Sequence, residues 1–269
     1  MDAEDKTKNL VKRDAAPTPL DDAAMAQIAA LAQRQTRANG VLMKAINFVG
    51  GQVEDTLKML PDVARKQIDA GARAALQRSY DVAAQSRKGA AGRTVTTDGG
   101  HKVLATITGA LGGLGGLPTA IAELPFATTM IFRAVQGVAE HYGEDPTSEE
   151  TRVQCLAVFG AGGPGSEDDG IDTAFFGARV GITGAAVHGL ISKVAPRFAT
   201  VLSQKLATQA VPILGAAAGA GTNYAFTDYY VEMAHVHFGL RKIAREHDAE
   251  DVAAAFHRAI VDKVTVNRA

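Results

Sequence analysis

The chain carries one cysteine, Cys155, in 269 residues. A single thiol excludes an intrachain disulfide framework and suits a reducing compartment. No partner histidine for it can be read from spacing, so Cys155 reads as a small buried residue rather than a nucleophile. An excess of charge is missing too. The formal net charge is −1, which supplies no global field to draw the chain onto nucleic acid or an anionic membrane. Nucleic acid is accordingly not an expected partner. The first residues, MDAEDKTKNLVKRDAAPTPLDD, hold charges but no apolar core of the kind a secretory signal needs. The expected location is cytoplasmic, with residues 1–20 a disordered leader and 21–269 one helical domain.

Chemical signatures are also scarce. GALGGLGGLP, residues 109–118, lacks the Gly-Lys-Ser/Thr ending of a phosphate loop and any strand–GxGxxG–helix context. No serine lies in G-x-S-x-G. The acidic run Glu167–Asp168–Asp169 with Asp172 lacks the alternating oxygen ligands of a calcium loop and reads as solvated. Glu232 and His235 form one E-x-x-H pair, the unit that carboxylate-bridged di-iron bundles use twice, and no second copy exists. His235 and His237 are two apart and diverge on a helix, so they cannot share a metal. No metal and no cofactor is expected.

What the sequence does contain is helical periodicity, with no alternating strands. Asp21–Asp22 caps a helix over 23–37, and a second is expected over 41–60. Pro61 stands in the first turn of a third, which runs to about Arg87. Residues 88–100 read as a loop. Pro125 is expected to open a helix that carries Phe126, Met130, Arg133 and Gly137 on one stripe. That helix stops at Tyr142–Gly143, with Gly143 just past its end. Thr147 or Ser148 starts the next, which ends at Gly160. A loop over 160–170, a helical region over 171–206 broken near Pro196, and a final helix over 249–264 complete the pattern. The expected fold is all-α: a single multi-helix, bundle-like domain with glycine-faced central helices.

Two uncharged segments, 103–122 and 206–227, dominate the pattern. Gly109, Gly112, Gly113 and Gly116 fall at i, i+3, i+4 and i+7, while Gly215, Gly219, Asn223 and Thr227 lie four apart. Gly177, Gly181 and Gly184 make a weaker third stripe. Each stripe is a helix face without bulk, on which another helix can approach closely. Three readings compete: a transmembrane hairpin, a buried pair of core helices, and a soluble state able to lie on a bilayer. Pro118, Pro125 and Pro212 and the Gly/Ala/Thr content weigh against simple spans, and the buried core takes precedence. Glu123 and Arg133 are isolated charges in apolar surroundings, expensive to bury unless paired.

The succession Gly112–Gly113, Glu123–Leu124–Pro125, Arg133, Tyr142–Gly143–Glu144–Asp145–Pro146 and Gly162–Gly163 resembles the bacterial EcsC family. So does Pro212-x-x-Gly215, Gly219, Asn223-x-x-Phe226, followed by Ala234 and Arg241. The resemblance runs from about Val41 to His247. The family's namesake is encoded beside the ATPase and membrane subunits of an ABC transporter. The resemblance therefore implies association with membrane processes and supplies no catalytic residues. The expectation is a non-enzymatic, membrane-proximal accessory protein whose partner is a membrane surface or a membrane protein such as an ABC transporter. The alternatives are a hydrolase with its site among Glu123, Arg133, Glu232 and His235, and a structural oligomer joined through small-residue helix faces.

Overall fold

Short-range polar signals set the helix boundaries. Asp21 Oδ1 accepts the backbone N–H of Ala24 at 2.7 Å, the bond of an N-cap, and α1 (Asp22–Ala38) starts beside it. The computed structural model describes residues 18–38, 62–88, 98–114, 117–160, 189–196, 198–199 and 215–266. Within these, α2 spans Asp62–Lys88, α3 Asp98–Leu114, α4 Leu117–His141, α5 Glu149–Gly160, α6 Gly215–Ile243 and α7 Ala249–Val266. Residues 189–196 are also helical. Among the described residues no strand forms; Thr18 and His247 make an isolated parallel bridge. The fold is all-α. The helix over 41–60, the stripe Gly177–Gly184, the expected leader up to residue 17 and the expected loop from residue 161 lie outside the described residues, while Thr18 of that leader is bridged to His247 and Gly160 is the last residue of α5.

The end of α4 follows from Gly143. Its φ of +82° is open to glycine at little cost. Gly143 N–H donates to Glu140 O at 2.9 Å and Glu144 N–H to Ala139 O at 3.0 Å. These are the two bonds of a Schellman turn, which satisfies carbonyls that the helix end would strand. Asp145 Oδ1 then accepts from Thr147 N–H at 2.8 Å. Ser148 Oγ accepts from Thr151 N–H at 3.1 Å and caps α5.

Two expectations are corrected. Residues 98–100 are not loop but the first turn of α3, tied from its first residue to α6 by Asp98. Pro125 does not open a helix: α4 starts eight residues earlier, with Pro118 in its first turn, and runs through Pro125. Packing on α2 supports the turn that Pro125 weakens. The Pro125 carbonyl accepts from Ser79 Oγ of α2 at 3.3 Å and from Thr129 Oγ1 at 2.8 Å.

Helix α6 is central. It packs most extensively on α3 and also on α1, α4 and α5, while α2 lies on α4 and α7 on α1. From Val231 to Leu240 every α6 residue is buried except Glu232, the pattern of a helix surrounded by others. Phe159 of α5 is the hub of the core, with its ring centroid 4.2 Å from Phe132 of α4, 4.7 Å from Tyr230 of α6 and 5.3 Å from Phe198. Tyr80 of α2 meets Phe132 edge-on. Cys155 is fully buried among these helices, and burial pushes its thiol pKa up, the state of an unreactive core cysteine.

Candidate functional site

The α3–α6 seam is laced by polar side chains that the fold brings together across more than a hundred residues of sequence. Asn223 is buried and donates from Nδ2 to the Ala105 carbonyl at 3.1 Å. Further along, Lys102 of α3 pairs with Asp228 of α6. At the far end His235 Nε2 meets Asp98 Oδ2 at 2.9 Å, and His235 Nδ1 lies 3.3 Å from the Tyr142 hydroxyl. A carboxylate only accepts, so Nε2–H donates to Asp98, and in the neutral ring Nδ1 accepts from Tyr142. The hydrogen bond from His235 holds the Asp98 carboxyl below its ordinary range, and burial raises the Tyr142 phenol. His141 adds a second imidazole, its ring centroid 6.0 Å from that of His235. One turn before His235, Glu232 accepts from Arg34 of α1 at 2.9 Å. The Arg34 charge acts on both Asp98 and Tyr142.

Next to this chain, the Tyr142–Pro146 turn is fastened residue by residue. Tyr142 holds His235, and Gly143 supplies the left-handed turn. The carboxylate of Glu144 is 8% exposed and accepts from Arg241 Nε at 2.9 Å, with Arg245 as a second partner. Arg241 also reaches Glu150 of α5. Asp145 caps the turn, and the Pro146 carbonyl accepts from the buried Tyr80 hydroxyl at 2.8 Å. His237, two residues beyond His235, points elsewhere as its spacing requires. It is buried and donates to Gln154 Oε1 at 2.7 Å. Burial, then Arg241, pushes its pKa down to about 3.

The profile of the EcsC protein family matches residues 22–243. The chain belongs to the EcsC family. The match starts at the first residue of α1, so it takes in a helix ahead of the Val41 start read from the motifs, and it ends with α6. No curated protein and no solved structure matches the chain.

The residues singled out in the sequence separate into distinct settings. His235 and Glu232 share the α6 cluster but bind different helices. Arg133 is buried on α4 and donates from Nη1 to Ser86 Oγ of α2 at 3.2 Å, so this charge ties α4 to α2. Asn223 and Gly219 face inward on α6. Gly109, Gly112 and Gly113 lie on α3, and Gly215 is the first residue of α6. Gly116 and the side chain of Glu123 fall outside the described residues. Among the described residues no group of three or more His, Cys, Asp or Glu is arranged to hold a metal. Asp98 and Gly239 were not singled out. A Cβ on Gly239 would stand 2.7 Å from Leu31 Cδ2, closer than packed carbons ordinarily approach.

Proposed function

We propose that this EcsC chain is a non-enzymatic, membrane-proximal accessory protein of the cytoplasm, linked to transport or secretion, whose uncharged helices contact lipid. The carrying observation is where its apolar side chains are left in solvent. Val103 and Ile107 on α3 and Tyr224 on α6 are exposed within the uncharged segments, while Phe126 on α4, Met25 on α1, Val82 on α2 and Val261 on α7 are exposed outside them. Val103 and Ile107 stand one turn apart on α3, which packs on the helix that carries Tyr224, and exposed apolar side chains on packed helices suit a surface that meets a membrane or a partner. The inward set of the same helices, Asn223 among it, packs in the α3–α6 seam, so the segments serve two purposes at once. Among the described residues no helix is long and apolar enough to cross a membrane, and lipid contact would therefore be made at the interface.

Flotation with neutral and with anionic phospholipid vesicles tests this. Protein should float with both, and high salt should not release it, because the contact is apolar rather than ionic. Val103→Glu with Ile107→Glu should abolish flotation without loss of stability. Protein that stays unbound with both vesicle types at low and high salt defeats the proposal; binding instead to a membrane protein, such as an ABC transporter, would redirect it.

A hydrolase is the second reading, and the Asp98–His235–Tyr142 chain is the observation that favours it. A carboxylate orienting an imidazole, which in turn faces a hydroxyl, has the order of orienter, base and nucleophile. Of the four residues first considered for such a site, only His235 belongs to this chain. Hydrolysis of a p-nitrophenyl ester, lost in both Tyr142→Phe and His235→Gln, would support it; equal rates in the variants would dispose of it.

A further inference from the structure

Helix α3 is attached differently from its neighbours. Of its described side chains, 98–107, only His101 and Ala105 are buried. Neither belongs to the main hydrophobic core, which draws on α1, α2, α4, α5, α6 and α7. Its outer side carries the exposed Val103 and Ile107. Its interior contains Gly109, Gly112 and Gly113, each costing a helix about 1 kcal/mol relative to alanine. Helix α3 packs extensively on α6, but its described side chains put little apolar surface into the core, and its glycines weaken its intrinsic helicity. Few buried apolar side chains are what lets one element open ahead of the rest.

Of the two buried side chains described on α3 the larger is His101, 2% exposed, and neither ring nitrogen has a hydrogen-bond partner. Its charged surroundings come from every neighbouring element. The Arg133 guanidinium of α4 and that of Arg87 of α2 both repel a charged ring. Asp98, one turn earlier on α3, has the favourable sign but is engaged by His235 of α6. From α6, Asp228 and Glu232 act on Lys102. A neutral imidazole fits this position, whereas an imidazolium would be buried beside two cations.

We propose that His101 is a neutral latch for α3, and that acidification frees α3 from α4 and α6 while the rest of the bundle stays folded. Burial first, then Arg133 and Arg87, push the His101 pKa down to about 4, in keeping with that geometry. An opened α3 exposes the ring to water and lets it protonate at its ordinary value near 6.5. The opened state therefore takes up one proton that the closed state refuses, across the window from 6.5 down to about 4. The Asp98 carboxyl, held below its ordinary range by the hydrogen bond from His235, keeps its charge across that window. Within α3 the acid response is thus assigned to His101.

Hydrogen exchange of the full chain between pH 7 and 4, corrected for intrinsic rates and run without vesicles, tests the latch independently of lipid contact. The opening constant of α3 amides should rise by up to about ten-fold per pH unit below 6.5. Amides of α1, α4 and α6 should remain protected. In His101→Met, a side chain that fills the space and never charges, the α3 profile should stay flat. Equal acid responses in wild type and His101→Met, a flat wild-type profile, or loss of protection everywhere at once would each overturn the proposal. Should His101→Met fail to fold, the nitrogen shifts of His101 in the wild type decide: titration near 6.5 with α3 still protected is equally fatal.

Discussion

Glu144, in the turn after α4, receives Arg241 of α6 at 2.9 Å, with both side chains almost out of solvent. The two lie 97 residues apart, and the pair fixes the turn that carries Tyr142 against the helix that carries His235. Removing Glu144 leaves Arg241 with only the exposed Glu150 as a partner, and breaking a buried pair is costly. Glu144→Ala is expected to lose about 3–5 kcal/mol in urea unfolding. A loss below about 1 kcal/mol, typical of exposed pairs, would mean that water reaches this pair freely.

Gly239→Ala should also destabilise, against helix propensity. Alanine favours a helix by about 1 kcal/mol over glycine, but its methyl would meet Leu31 Cδ2 at 2.7 Å and Cδ1 at 2.9 Å. Overpacking of this kind costs about 1–3 kcal/mol. The test is a double-mutant cycle with Leu31→Ala, in which the second change should recover part of the loss. A Gly239→Ala variant more stable than wild type would show that α1 does not approach so closely.

Asn223→Leu should cost about 0.5–1.5 kcal/mol, the net worth of one hydrogen bond, by removing the Nδ2 bond to the Ala105 carbonyl. The effect should concentrate in α3, so exchange of α3 amides ought to quicken more than that of α7. Uniform loosening of both helices would place the role of Asn223 elsewhere.

Global stability should fall as the solution is acidified from neutrality. His237 in the folded chain is held down to about 3, against an ordinary value of 6.5. A depressed histidine contributes stability that is present above 6.5 and drains away as pH falls toward the folded value, because only the unfolded chain takes up the proton. The slope is at most about 1.4 kcal/mol per pH unit for this one group. Urea midpoints at pH 7, 6 and 5 measure it; equal midpoints at all three would contradict a buried neutral His237.

Features that depend on near neighbours in sequence were legible. Asp21, Gly143 and Ser148 act within three or four residues of themselves, and the helix ends stand where those residues place them. The all-α class and the divergence of His235 from His237 follow from periodicity alone. Pro125 misled because a local rule was overridden by contact with α2, which is invisible in a linear pattern. Asp98 could not be linked to His235 across 137 residues. It also sits in a glycine- and threonine-rich stretch that reads as loop. Gly239 was silent for a related reason: a glycine within a helix does not disclose what crosses it. The YGEDP segment stood out only as a resemblance, and its meaning as a fastening between α4, α5, α6 and Tyr80 required the third dimension.

The aromatic core has a practical consequence. The chain has no tryptophan and five tyrosines, so all its intrinsic ultraviolet emission comes from phenol rings in known settings. Tyr80, Tyr229 and Tyr230 are buried, Tyr142 rests on His235 and Tyr224 faces solvent. Loss of the central packing would alter three emitters together, whereas a disturbance confined to the α3 end of the seam would act mainly through Tyr142. The protein thus carries its own two-channel spectroscopic gauge, and Tyr142→Phe separates the channels without an external dye.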